Sequence, residues 1–316
     1  MGTRVKHQYV PLDLPICLNR FLDRWNPTAF LVLETEIWPN LLKACKERKI
    51  FTVLVNARLS EKSKDRYKRI KTLAALTLDD FDLLIAQYDS DARRFKEINP
   101  SLKIAVCGNL KFDQEIPDQL EPISASIRHS WSNGGERPTL IAASTHETEE
   151  EFVLDAYLEI VSEFEEALLI IVPRHPERFD KVHEYILKRN LSVARRSRKE
   201  EVTLNTKVLL GDTMGELNFL YSVSDVAFVG GSLVDHGGQN LLEPAAQGLP
   251  LCSGKNLRNF QEIATELENN EALLIVEKQQ DLTNFFSSMI SNPQQREKVG
   301  EASKLVFENN RGALII

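Results

Sequence analysis

The sequence predicts an α/β protein built as two parallel-sheet domains, and three observations carry that prediction. At 316 residues the chain is about twice the common single-domain length of roughly 150. Short, continuous apolar runs rich in β-formers alternate with helical stretches almost throughout, the pattern of strands buried on both faces and joined by helices. One segment, residues 114–138, breaks the rhythm. It carries Pro117, Pro122, Pro138 and the turn Ser132-Asn133-Gly134-Gly135 around a single short helical stretch.

In order, the first half offers strands at 30–33, 51–55, 83–86 and 104–106, with helical composition at 40–49, 61–76 and 90–98. Residues 7–10 could form a further strand, but no β-α unit precedes them. The second half repeats the rhythm more clearly, with strands at 139–143, 168–172, 207–210, 226–229, 249–252 and 273–276. Helical stretches follow each of these, notably 148–164, 176–189 and 240–247. The expected division is an N-terminal domain over 1–115, an interdomain segment over 116–138 and a C-terminal domain over 139–316. The C-terminal series suffices for a complete doubly wound sheet. The N-terminal one opens in mid-pattern, so a smaller domain or a shortened one is expected.

Composition narrows the function. Thirty-nine Lys and Arg against 46 Asp and Glu give a net charge of −7, which disfavours wholesale nucleic-acid binding. The apolar stretches fall far short of the roughly 20 residues that span a bilayer, and no signal-peptide pattern opens the chain. Cys17, Cys45, Cys107 and Cys252 are scattered without zinc-ligand spacing and read as buried thiols. No metal site is expected. The basic run Arg195-Arg196-Ser197-Arg198-Lys199 is followed at once by Glu200 and Glu201, so it reads as a solvated loop.

There is no G-x-G-x-x-G and no P-loop, the near miss at 248–255 having the wrong spacing. Five clusters remain, most of them at or just after predicted strand ends, where open α/β sheets place ligands. Glu34-Thr35-Glu36-Ile37-Trp38-Pro39-Asn40 brings carboxylates to a helix start, suited to chemistry or simply to the positive helix end. Gly108-Asn109-Leu110-Lys111-Phe112-Asp113 precedes the interdomain segment. Lys111 there could neutralise a phosphate or carboxylate, although alone it reads as a solvated lysine. Pro173-Arg174-His175-Pro176-Glu177 places donors before a helix whose free amides could hold an anion, while Arg174 could instead cap nearby carbonyls. Gly211-Asp212-Thr213-Met214-Gly215-Glu216 suits a ligand, or a capping box from Thr213 to Glu216. The fifth, Gly230-Gly231-Ser232 through Gly237-Gly238-Gln239-Asn240-Leu241-Leu242-Glu243-Pro244, is the most specific. Its glycine pairs allow close approach to a phosphate, and Glu243 could accept from vicinal ribose hydroxyls.

Together with Asn56-Ala57-Arg58-Leu59-Ser60 and Ala142-Ala143-Ser144-Thr145-His146-Glu147, these clusters resemble the 3-deoxy-D-manno-octulosonic acid (Kdo) transferases of lipopolysaccharide synthesis. The motifs occur in family order and span about Tyr9 to Leu314. The resemblance implies a GT-B fold, two Rossmann-like doubly wound domains facing across a cleft, with the N-domain incomplete. It implies inverting, metal-independent transfer of Kdo from CMP-Kdo to the lipid A precursor on the cytoplasmic face of the bacterial inner membrane. CMP-Kdo is then a donor substrate, and no cofactor is implied. By correspondence, Pro173, Arg174, Met214, Gly215, Glu216, Asn240, Leu241, Leu242 and Glu243 form the CMP site. Glu34 and Lys111 help stabilise the transition state, with Glu36 the alternative to Glu34. In the family the general base and the membrane anchor lie upstream of anything matched here. A shortened chain, inactive alone, is therefore expected, and 308–314 also looks clipped. The rival expectations are a non-catalytic nucleotide-sugar-binding remnant and a nucleotide-sugar epimerase.

Overall fold

The computed structural model describes the backbone of residues 5–110, 120–132 and 137–310. The chain divides into two compact units, the second being Glu115–Asn309.

In the first unit, α1 (Pro15–Trp25) precedes β1 (Ala29–Leu33). Helix and strand then alternate through α2 (Pro39–Glu47), β2 (Phe51–Ala57), α3 (Glu61–Arg69), α4 (Lys71–Leu78), β3 (Leu83–Ala86), α5 (Asp89–Ile98) and β4 (Ile104–Val106). All neighbours run parallel, in the order β1-β2-β3-β4. Pro39 opens α2, and the Asp13 carboxylate receives the amides of Asn40 and Leu41 at 3.2 and 2.9 Å, a negative charge at the positive helix end. Ser60 caps α3 through the Ser63 amide at 3.2 Å. The helix expected over 61–76 breaks at Ile70. α3 buries none of its residues, whereas α4 turns Ala74 and Leu78 into the core with Leu54, Leu84 and Phe95. Residues 7–10, a predicted strand, are exposed and belong to neither sheet.

The second unit contains α6 (Leu120–Trp131), β5 (Thr139–Thr145), α7 (Glu149–Glu163), β6 (Leu168–Pro173), α8 (Phe179–Lys188), β7 (Val193–Arg195) and β8 (Val208–Leu210). It continues through α9 (Leu217–Ser222), β9 (Val226–Val229), α10 (Leu242–Ala246), β10 (Leu251–Ser253), α11 (Gln261–Asn269), β11 (Leu273–Ile275), α12 (Gln279–Ser291) and α13 (Pro293–Asn309). The strand order is β11-β10-β9-β5-β6-β8-β7, all parallel. β5, β6 and β9 are buried on both faces, which is why they read as continuous apolar runs. Leu140, Leu154, Tyr157, Ile171, Leu210 and Phe228 sit at the centre of the core. α6 packs on this unit, with Arg128 paired to Asp225 at 2.8 Å and Ser124 meeting Ser222 at 2.5 Å. Buried Arg137 donates to the carbonyls of Glu166, Trp131 and Thr203 at 2.6, 3.2 and 3.0 Å, tying three loops together.

From β5 the chain steps outward through β6 to the edge strand β7 and fills the place between them with β8. It then returns to place β9 against the other side of β5 and winds the opposite way. The reversal between β5 and β9 is a topological switch point, and the crevice beyond the carboxyl ends of its strands is the expected ligand position. Among the described residues no helix is long and apolar enough to cross a membrane.

Candidate active site

The switch point is organised by one carboxylate. Glu149, the first residue of α7, is fully buried, and its two oxygens each accept two backbone amides. Oε2 receives His146 and Gly231 at 2.9 and 2.7 Å, and Oε1 receives Ser232 and Leu233 at 3.0 and 2.9 Å. The loop after β9 is thereby fastened to the loop after β5. Gly230 makes the approach possible, because a Cβ there would stand 2.7 Å from the Ser144 carbonyl oxygen and 2.8 Å from the Thr145 Cα. The β5 end is itself irregular. Its register with β6 shifts between Ala143 and Thr145, and Ser144 and Thr148 have φ of 55° and 75°. Such backbone persists where the surroundings over-determine it, commonly at functional sites.

This clamp corrects the reading of the first glycine pair as a phosphate cradle. The Gly231, Ser232 and Leu233 amides are consumed by Glu149, while Gly230 and Gly238 donate to the carbonyls of Ala143 and Gly231. A fixed negative charge behind the loop repels an anion there. The helix starts also give less than expected. A 3-10 turn (Pro176–Arg178) follows Arg174, α9 has 6 residues and α10 has 5. The amides of the first glycine pair are thus unavailable to an anion, and Arg174 is the exposed cation beside them.

The expected donor-site residues sit at these strand ends. Pro173 closes β6 and is buried. Arg174 is exposed, its amide donating to the Thr145 carbonyl at 2.9 Å. Asn240 precedes α10, donating from Nδ2 to Glu243 Oε1 at 2.9 Å and accepting the Leu242 amide at 3.1 Å. Burial raises the Glu243 carboxyl above its ordinary range, restrained by the Asn240 hydrogen bond and the Arg174 charge. Leu241 and Leu242 are buried at 0% and 2% exposure, so a ligand meets only their backbone. On the β8 side, Met214 is 66% exposed and Gly215 has φ of 82°. Thr213, Met214 and Glu216 help line a depression of about 940 Å³. The Glu216 carboxylate is already engaged, accepting Arg196 at 2.9 and 3.2 Å and the Thr213 hydroxyl. α9 begins at Leu217, so Thr213 stands too far upstream to be its cap.

The basic run over 195–199 is a solvated loop only in part, with Ser197, Arg198 and Lys199 exposed but Arg195 buried. Arg195 ends β7, is 7% exposed, and donates to Asp212 and Asp180 at 2.7 and 2.6 Å. Arg196 also lies 5.1 Å over the Phe219 ring. Burial pushes the Asp212 carboxyl up, but hydrogen bonds from Ser197 and Arg195 hold it below the ordinary range. Asp212 thus fastens β7 to the turn carrying Met214.

Three imidazoles gather at the switch point, one from each adjoining strand end. His146 follows β5, His175 follows β6, and His236 lies in the loop after β9. His146 and His236 stack at 4.2 Å with 21° between planes, and His175 meets His146 edge-on at 5.2 Å. His146 Nε2 lies 3.4 Å from Gln239 Nε2. Burial above all, then His236, His175, Arg174 and Arg178, lowers the His146 pKa to about 4, so the ring is neutral at physiological pH. Among the described residues no group of His, Cys, Asp or Glu is arranged to hold a metal.

In the first unit, Glu34 follows β1 with φ of 63°, exposed and without a side-chain partner among the described residues. Glu36 accepts the Trp38 indole N–H at 3.1 Å. Asn56, at φ of 56° beside a register shift in β2, accepts the Leu110 amide at 3.1 Å. Lys111 lies outside the described residues.

Known proteins supply a frame for these positions. Residues 1–114 match the 3-deoxy-D-manno-octulosonic-acid transferase family, and residues 151–306 match group 1 glycosyl transferases. The chain is 40% identical over 315 residues to the 3-deoxy-D-manno-octulosonic acid transferase of Haemophilus influenzae, covering 99% of this chain and 73% of that protein. It belongs to the Kdo transferase family. The Bordetella pertussis enzyme of the same name is 32% identical, covering 98% of this Kdo-transferase chain and 72% of its own length. Among solved structures, the C-terminal CMP-Kdo binding domain of WaaA from Acinetobacter baumannii superposes with a TM-score of 0.57 at 34% identity. That match covers 60% of this chain and 98% of the domain. A UDP-N-acetylglucosamine 2-epimerase from Listeria monocytogenes matches 93% of this chain and 75% of its own at 17% identity and a TM-score of 0.61, a likeness of fold alone. A pneumococcal O-GlcNAc transferase, 17% identical with a TM-score of 0.54, shares the same GT-B-type architecture. The Kdo transferase family places a glycosyltransferase on two parallel sheets, as the sequence predicted.

Proposed function

We propose that the chain binds CMP-Kdo through its second unit and transfers Kdo to a lipid A precursor, inverting the anomeric carbon. One observation carries the reading. An exposed guanidinium, Arg174, follows β6 and a half-buried carboxylate, Glu243, follows β9, on either side of β5, in a unit similar to a solved CMP-Kdo binding domain.

The chemistry follows from those groups. In an inverting transfer the acceptor oxygen bonds to the anomeric carbon as the bond to the CMP phosphate breaks, and a base takes the acceptor proton. Arg174 supplies positive charge where the phosphate departs, and Glu243 accepts from the ribose hydroxyls. Pro173, Met214, Gly215, Glu216, Asn240, Leu241 and Leu242 complete the CMP site, the exposed Met214 thioether suiting an aromatic base. Glu34 and Lys111 are assigned to the transition state on the family resemblance alone. The lipid acceptor brings the reaction to a membrane surface, the cytoplasmic face of the inner membrane.

Calorimetric titration of the folded chain with CMP tests the donor reading, and saturable binding that UMP does not match is expected. Absence of saturation with CMP overturns it. Incubation with CMP-Kdo and a lipid A precursor, read by mass spectrometry, tests transfer through the mass of one added Kdo.

A further inference from the structure

The imidazole cluster has a chemistry that nucleotide binding leaves unused. His175 and His236 are exposed, and their ring nitrogens have no hydrogen-bond partner among the described residues. His146, at 6% exposure, forms the floor between them, and its Cδ2 lies 3.4 Å from where a Gly231 Cβ would stand. Rings stacked face to face direct their in-plane nitrogens away from any common point, so the pair is not built to chelate an ion.

The surrounding charges favour an anion. Five carboxylates around the cluster are already occupied. Glu147 is bonded to Lys181 and Arg178 at 2.7 and 3.3 Å, and Glu150 to Arg178 at 2.9 and 3.1 Å. Glu149 is saturated by amides, Asp235 is paired with Arg258, and Glu243 is held by Asn240 at 2.9 Å. The open side-chain donors are one guanidinium and two imidazoles with N–H groups.

Their placement is informative. Arg174 and His175 leave the end of β6 together, and His146 stands against both His175 and His236 at the neighbouring strand ends. A phosphate held by Arg174 therefore has the imidazoles beside it, and in a CMP-linked ulosonic acid the group next to the phosphate is the sugar. Such a sugar carries a carboxylate on its anomeric carbon, one bond from the phosphate ester. We propose that His175 and His236, braced by His146, form the subsite for the carboxylate of the transferred sugar. This rests on the donor reading above and extends it from the nucleotide to the sugar.

The test compares two ligands on the same variants. CMP and CMP-Kdo each displace a fluorescent CMP derivative from the full chain, from His175→Ala, from His236→Ala, from the double variant and from His236→Phe. Phenylalanine keeps a ring on His146 but has no N–H. CMP should bind every variant within about twofold of the unaltered chain. CMP-Kdo should weaken by about tenfold in His236→Phe and more in the double variant. Equal weakening of both ligands would assign the cluster to the phosphate and overturn the proposal, as would unchanged CMP-Kdo affinity. An unaltered chain that binds neither ligand overturns the donor reading and this assignment with it, whereas CMP binding without the difference overturns this one alone.

Discussion

The Gly231 amide donates to the Glu149 carboxylate at 2.7 Å, joining the loop after β9 to the first residue of the helix after β5. Three more amides, from His146, Ser232 and Leu233, share the same two oxygens. An ionised carboxylate is acceptor-only, so all four bonds are compatible at once. Replacing Glu149 by Gln puts an NH2 group against two of those amides and leaves them buried without an acceptor. Each unsatisfied buried donor costs about 1–3 kcal/mol, so Glu149→Gln should lose on the order of 3 kcal/mol in urea denaturation. Its CMP affinity should fall too, since the strand ends on both sides of the switch point lose their tie. An unchanged denaturation midpoint would mean that the clamp is dispensable.

Arg195 and Arg198 occupy one basic run but should behave differently. Arg195 is 7% exposed against Asp212, a pair whose breakage leaves a buried carboxylate with only Ser197 as partner. Arg195→Ala is expected to cost about 3–5 kcal/mol. The Arg198 side chain is 59% exposed and lies 3.8 Å from Glu200, so Arg198→Ala should change stability by less than about 0.5 kcal/mol. Equal effects in thermal or urea unfolding would refute the distinction.

That contrast marks what was legible in the sequence. Strands such as 83–86, 104–106 and 226–229 coincide with their predicted limits because each is a continuous run of apolar residues, although only 226–229 is buried throughout. β7 escaped notice because Val193–Arg195 ends in a charge, and its neutraliser, Asp212, stands 17 residues away. A local window cannot see that partner. The same limit hid Glu149, which reads as an ordinary acidic residue in a helix's first turn until the β9 loop, 82 residues on, is brought against it. The positions of Arg174 and Glu243 beyond their strands were legible because strand-end position is itself local information, whereas the imidazole stack depends on three strand ends meeting.

His146 should make the chain acid-sensitive in a defined window. Its pKa is lowered to about 4 in the folded protein, while an unfolded histidine titrates near 6.5. Between those values the unfolded chain binds more protons, so stability contributed above about pH 6.5 is lost as pH falls towards 4. The loss from this residue is on the order of 3 kcal/mol by pH 4. His146→Gln has no such titration, and other groups cancel when the two proteins are compared. The stability difference between them, from denaturant titrations at pH 7, 5.5 and 4.5, should shift against the unaltered chain as pH falls. A constant difference would exclude His146 as its source.

Arg174 and Glu243 should be coupled in their response to pH. Burial raises the Glu243 carboxyl, and the Arg174 charge works in the opposite direction. If the ionised carboxylate accepts from the ribose, CMP binding weakens as pH falls through that raised value. Arg174→Ala removes a lowering influence, so the weakening should begin at a higher pH than in the unaltered chain. The variant also loses a charge-assisted contact to the phosphate, worth about 1.5–3 kcal/mol or roughly 10- to 100-fold in affinity at neutral pH. Glu243→Gln should bind CMP about tenfold more weakly and lose the dependence altogether, because nothing titrates at that position. Titration of the free CMP phosphate is common to all three proteins, and the bound phosphate keeps its Arg174 contact in the unaltered chain and in Glu243→Gln, so that pair isolates the carboxylate. Calorimetry from pH 5 to 8 would separate these outcomes, since an Arg174→Ala profile parallel to that of the unaltered chain would mean that the two residues do not share one ligand.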